Sequence, residues 1–194
     1  MADELSRRLV HASGTGLPAL SLLGLTTWET VQYLLVAGAV IALLLEGIRL
    51  FVGLEWTIYD RLTREYEQDN PAGYALYFIS AAGVGLLAPR YIAISVAIPA
   101  ILMLTIGDPI SGLLGSGNLT KQTYVLVAMF GVCTGIAAFF VGWLPAVLGG
   151  LAATAADGLK PVIAGYVLDD NLTIPPAAAV AMVAGIEMTT MLPA

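Results

Sequence analysis

Charge is scarce in this sequence: Asp, Glu, Lys and Arg together make up 11% of its 194 residues, where a soluble domain carries about a quarter. So few polar side chains cannot cover a compact water-soluble fold of this length, which argues against a soluble globular protein. Basic residues are the scarcer sign, 8 Lys and Arg against 14 Asp and Glu for a net charge of −6. That balance argues against a chain that wraps a nucleic-acid backbone, so no nucleic-acid partner is expected. Cysteine occurs once, at Cys133, which leaves no intrachain disulfide and no two-cysteine metal clip. Set in the apolar run Met129-Phe130-Gly131-Val132-Cys133, it reads as a small packing residue. A Walker loop ending in Gly-Lys-Ser or Gly-Lys-Thr is also missing, so a soluble nucleotide-binding fold is not implied. No repeat, low-complexity run or linker divides the chain, and residues 1–194 read as one membrane-embedded domain. No small-residue cleavage site clearly follows the first apolar run, so the N-terminus is expected to be retained.

What the sequence has in abundance is apolar residues, 58% of the total, gathered in blocks. A spanning helix needs about 20 mostly apolar residues. Six blocks approach that length: Leu9–Leu25, Val31–Leu54, Gly73–Ala88, Tyr91–Ile106, Thr123–Leu144 and Leu172–Leu192. Pro145–Leu168 is interrupted by Asp157, Gly158, Lys160 and Pro161, and reads as a short span followed by an interfacial or re-entrant piece. The expected fold is therefore an all-α, polytopic membrane helix bundle with six or seven transmembrane helices. Glu55–Ala72, the one sizeable polar segment, suits an amphipathic surface helix. Arg7, Arg8, Arg61, Arg64, Lys121 and Lys160 fall on alternate loops and only Arg90 on the opposite ones, which predicts an N-terminus facing the cytoplasm in the cell membrane. Of the ionisable residues, only Glu29, Arg90 and Glu187 then fall outside.

Ionisable groups at the ends of or within spans are costly and each requires a reason. Glu4, Arg7 and His11, at i, i+3 and i+7, share a helical face at the mouth of the first block; a positive-inside anchor explains them as well. Glu46 and Arg49, at i and i+3, suit an intrahelical ion pair. Gly107-Asp108-Pro109 ends an apolar run and opens into a stretch holding Gly112 and Gly115, with Lys121 beyond. This offers a hard oxygen ligand, accessible backbone amides and a point charge, which a metal-bound phosphate needs, although it equally describes a turn with an Asp cap. Asp157 and Lys160 are followed by Asp169-Asp170-Asn171-Leu172-Thr173-Ile174-Pro175, where the carboxylates and amide either cap the last helix or coordinate Mg²⁺ or position a substrate.

Glu4-x-x-Arg7-x-x-x-His11, Gly107-Asp108-Pro109 with its Gly-rich continuation, and Asp169-Asp170-Asn171-Leu172-Thr173-Ile174-Pro175 together resemble the CTP-dependent lipid kinase family. That family includes dolichol kinase, phytol kinase and the fungal-type diacylglycerol kinase, and is related to membrane cytidylyltransferases. The resemblance runs over nearly the whole chain and is most specific in Asp-Asn-Leu-Thr-Ile-Pro. Two departures stand out: Lys121-Gln122-Thr123-Tyr124-Val125 replaces a family Lys-Ser-x-Glu-Gly stretch, and Asp157 stands where the family has a glutamate. The resemblance implies transfer of the γ-phosphate of CTP to a lipid alcohol of polyprenol or dolichol type, with Mg²⁺ at the cytoplasmic interface. Asp108, Asp169 and Asp170 are then the expected metal ligands. Arg7, Lys121 and Lys160 contact the triphosphate, with Gly107, Gly112, Gly115 and Asn171 also on the nucleotide. His11 or a carboxylate of the Asp169–Asp170 pair serves as base. Glu4, Glu46, Arg49, Asp157, Thr173 and Pro175 are further candidates. Two other functions fit part of this pattern: a cytidylyltransferase making a CDP-activated lipid, and a small ion or solute transporter lined by Glu46, Arg49 and Asp108. A homo-oligomer is compatible with either enzyme.

Overall fold

The computed structural model describes residues 8–9, 11–53, 70–115, 121–159, 162–163 and 166–191. Apart from a two-stranded ribbon, its regular elements are helices. In chain order they are α1 (Gly16–Leu22), α2 (Trp28–Gly47) running into a π-helical turn at Ile48–Val52, and α3 (Gly73–Leu87). Next come α4 (Ile94–Leu102), a second π-helical turn (Met103–Gly107), α5 (Asp108–Leu114), α6 (Thr123–Ala138) and α7 (Trp143–Gly158). The chain closes with the ribbon β1 (Val162–Ile163) and β2 (Tyr166–Val167), antiparallel with Val162 opposite Val167, and α8 (Asp170–Met191).

Three of these helices are long and apolar enough to cross a membrane: Trp28–Val52, Ile94–Leu114 and Asp170–Met191. Gly73–Leu87 and Thr123–Ala138 are apolar but shorter. The α2 helix starts at Thr27, whose hydroxyl accepts from the Thr30 amide at 3.3 Å, with Glu29 in its positive first turn. It stops at Gly53, whose φ of 71° a side chain would resist. Its buried residues, Trp28, Val31, Leu35, Ala42 and Glu46, lie on one face, while Leu34, Val40, Ile41 and Leu44 are apolar and exposed. Apolar residues on the outside are the mark of a helix whose solvent is lipid.

The α4, π and α5 segments form one continuous rod at the centre of the bundle, and 72% of its most apolar stretch is buried, against 17% for α2. Without a hydrophobic effect between helices in lipid, close approach must come from small residues and van der Waals contact. The α6, α7 and α8 helices meet in that way. A Cβ added at Gly150 of α7 would strike Thr134 of α6 at 2.1 Å, and one at Gly149 would strike Met182 of α8 at 2.5 Å. These contacts bring the last turn of α7 and the first turn of α8 to the same end of the bundle as α5.

Several sequence expectations change. The block Leu9–Leu25 is not one continuous helix: residues 11–13 are helical, a turn intervenes at Gly14–Thr15, and only Gly16–Leu22 continues. Gly-Thr-Gly followed by Pro18 breaks the helix that hydropathy alone suggests. Gly107-Asp108-Pro109 does not end its helix. The Pro109 ring would press on the Thr105 carbonyl in a regular α-helix, and the widened π turn just before it gives the room. The block Pro145–Leu168 keeps a short helix, Trp143–Gly158, followed by the ribbon; Pro145 sits in the first turn, where no intrahelical N–H is needed. The surface helix expected over Glu55–Ala72 falls largely outside the described residues, as do Arg61 and Arg64.

Candidate functional site

The first turn of α5 presents Asp108, the last turn of α7 presents Asp157 and the first turn of α8 presents Asp170. One carboxylate oxygen from each lies within 4.8 Å of the other two. Asp157 is 0% and Asp170 1% exposed. Three like charges at that spacing repel by roughly 3–4 kcal/mol per pair at an effective dielectric of about 20, so the group demands cations.

Among the described residues, Lys121 and His11 meet these carboxylates. Lys121, two residues before α6, forms an ion pair with Asp157 and donates to Ser111 Oγ at 2.8 Å, while Ser111 Oγ donates to Asp157 Oδ2 at 2.7 Å. Lys121 is thus engaged with α5 and α7. His11 Nδ1 lies 3.7 Å from Asp108 Oδ2, both side chains being about one-seventh exposed (16% and 14%), and its ring packs 5.8 Å from that of Tyr77. Thr15 Oγ1 donates to Thr105 Oγ1 at 2.9 Å and Tyr77 donates to the Gly14 carbonyl at 3.3 Å, fastening the His11 segment to the rod and to α3.

The Asp169-Asp170-Asn171 run divides its labour. Asp169 caps α8: its Oδ1 accepts from the Asn171 amide at 2.9 Å, and its carbonyl accepts from Leu172 and Thr173 at 3.1 and 3.3 Å. Burial, then the neighbouring Asp170 carboxylate, push the Asp169 pKa up from 3.8 to about 6. Asp170, one position on, turns into the carboxylate group, where the helix N-terminus favours its charge. Asn171 Nδ2 donates to Asp169 Oδ1 at 2.5 Å, and Ser80 of α3 donates to the Asn171 carbonyl at 2.6 Å. Capping and site formation, alternatives in the sequence, coexist here. Thr173 Oγ1 donates to the Asp169 carbonyl at 3.3 Å, and Pro175 is buried within α8.

Other expected residues lie elsewhere or serve differently. A Cβ at Gly107 would meet Cys133 Sγ at 2.9 Å, so this glycine lets the rod pack on α6. The Gly115 amide is taken by the Ser111 carbonyl at 2.9 Å. Gly112 is the seat of Arg8, whose Nη1 donates to the Pro109 carbonyl at 3.4 Å and would lie 1.6 Å from a Cβ there. Glu46 and Arg49 pair with each other and with Asn70, Ala72 and Tyr74. Glu4, Arg7 and Lys160 fall outside the described residues.

Two site residues had no place in the sequence pattern. Ser111 lies one turn after Asp108, a spacing that puts both on one helix face, and Arg8 lies one turn before His11. Cys133 is buried, as a packing residue should be. No protein-family model, curated protein or solved structure matches this chain.

Proposed function

We propose that this chain is a membrane-embedded phosphotransferase that moves the γ-phosphate of CTP onto the hydroxyl of a lipid alcohol of polyprenol type. The observation that carries the reading is the convergence of Asp108, Asp157 and Asp170 from three helices, with His11 and Lys121 beside them. An all-oxygen, carboxylate-rich donor set suits a hard divalent cation such as Mg²⁺, which Asp108, Asp157 and Asp170 would hold. When bound, such an ion neutralises charge on phosphate oxygens.

The chain's own residues supply positioning and proton transfer. With Nδ1 turned toward Asp108, the other ring nitrogen of His11 is the one to take a proton from an acceptor hydroxyl. Lys121 and Ser111 hold the Asp157 carboxylate in place. Arg8, seated on Gly112, adds a cation beside the first turn of α5 for an incoming phosphate. Basic residues on alternate loops support six or seven crossings with this end of the bundle in the cytoplasm, where CTP is soluble and a lipid hydroxyl can reach the interface. The carboxylates gathered at one end, with Glu46 and Arg49 engaged in their own contacts, support an interfacial enzyme over an ion path.

The test uses full-length protein in liposomes with Mg²⁺, CTP labelled at the γ- or the α-phosphate, and a panel of polyprenols, phytol and diacylglycerol. γ-Label in the lipid fraction is expected. α-Label would assign a cytidylyltransferase instead, and no lipid label with any acceptor overturns both.

A further inference from the structure

We propose that Asn171 supplies, through its side-chain oxygen Oδ1, a neutral fourth ligand to a divalent cation held by Asp108, Asp157 and Asp170. The inference rests on the metal-dependent reading above but concerns binding alone. Asn171 is 5% exposed, and its Oδ1 is buried with no hydrogen-bond partner among the described residues. A buried amide oxygen of that kind is costly to leave unmet, so it marks a place where a ligand belongs.

The carboxamide orientation is fixed by its surroundings. Nδ2 lies 2.5 Å from Asp169 Oδ1 and 3.4 Å from Asp170 Oδ1. Turning the amide over would set its oxygen against two carboxylates and discard both contacts. Oδ1 is therefore presented as an acceptor, on the same carboxamide that touches the Asp170 carboxylate of the three-acid group. Its ligand must bring a positive charge or a donor hydrogen.

The donor balance selects the cation. Three carboxylates already exceed the charge of one divalent ion, so a fourth carboxylate would add repulsion to the metal-free fold, whereas an amide carbonyl adds coordination at no charge. Mixed carboxylate and carbonyl sets are the usual surroundings of hard divalent ions. This accounts for an amide, and not a third acid, following Asp169-Asp170.

Full-length protein in detergent is titrated with Mn²⁺ alone, without nucleotide or lipid, and free Mn²⁺ is read by electron paramagnetic resonance. Asn171→Ala is expected to weaken Mn²⁺ binding about tenfold or more, and Asn171→Asp, which keeps an oxygen there, to bind at least as tightly as the original chain. Unchanged affinity in Asn171→Ala, equal loss in both variants, or no Mn²⁺ binding by the original chain overturns the proposal. Should Asn171→Ala not fold, protein labelled with ¹³C at its asparagine carboxamides, with Asn70 and Asn118 replaced by serine, gives a direct reading. A Mn–¹³C coupling is expected by electron–nuclear double resonance, and its absence overturns the ligation. Mn²⁺ ligation by Asn171 in a chain that transfers no phosphate would leave this inference standing and overturn the kinase reading.

Discussion

Two buried polar groups hold this bundle's helices together at points where lipid would not tolerate charge, and they are built on opposite plans. In the first, Glu46 faces one cation. Arg49 donates to its two oxygens at 3.0 and 2.7 Å, and the Ala72 amide and Tyr74 hydroxyl complete the set. One acid, one base and two neutral donors leave the Glu46 carboxylate fully served, so the group fastens the end of α2 to the start of α3. In the second, Asp108, Asp157 and Asp170 converge from three helices, with Lys121 on Asp157 and His11 beside Asp108, and the Asn171 side-chain oxygen is without a partner among the described residues. A carboxylate served by its own helix and the next is a fastener, whereas carboxylates brought together from three helices are a donor set suited to a cation.

The contrast breaks most visibly at the acids. Asp108→Asn and Asp170→Asn are each expected to reduce phosphate transfer by about a thousandfold in the labelled-CTP assay. The same variants should melt at or above the original temperature without metal, because each removes one of three repelling charges. Glu46→Ala should do the reverse. Removing one partner of a buried pair costs about 3–5 kcal/mol, readable as a lower melting temperature in detergent, while transfer per folded molecule stays near the original value. Ser111→Ala lies between the two plans. Losing a hydrogen bond to a charged group costs about 1.5–3 kcal/mol, and transfer should fall because Asp157 loses a hold.

A smaller effect is expected from pH. Asp169 has its pKa raised from 3.8 to about 6, so between those values the folded chain keeps a proton that the unfolded chain releases. The stability from this group is complete below 3.8 and is lost as pH rises through 6. Melting of metal-free protein over that window should show the decline, and Asp169→Asn should flatten it. At the small end, Thr27→Ala removes the α2 cap at a cost of about 1 kcal/mol and should leave transfer unchanged.

Hydropathy made the helical class legible, and it located the blocks that became α2, α3 and α8 within a few residues. It misjudged the first block because composition outweighs Gly14, Gly16 and Pro18 when apolar residues are averaged. It also read Gly107-Asp108-Pro109 as a stop, because proline is a helix breaker in a regular α-helix and a π turn leaves no composition of its own. Asp108 and Asp170 stood out as carboxylates without an apolar excuse. Ser111 did not, since a serine in an apolar helix is ordinary, and only the three-dimensional approach of Lys121 and Asp157 gives it work. That Lys121 serves Asp157 follows from the packing of α5, α6 and α7, which no local spacing encodes.

The burial of the central rod bears on how the molecule is made. Trp28–Val52, wrapped mostly by lipid, can enter a bilayer and rest there alone. Ile94–Leu114 is sheathed on most sides by other helices and carries Asp108 and Ser111 near one end. Those groups find Asp157 and Asp170 only after α7 and α8 have been synthesised, some forty-five to sixty residues later in the chain. Insertion and site formation are therefore separate events. A ribosome stalled before Asp157 would leave a threaded chain whose Asp108 has not yet met either of its acidic neighbours.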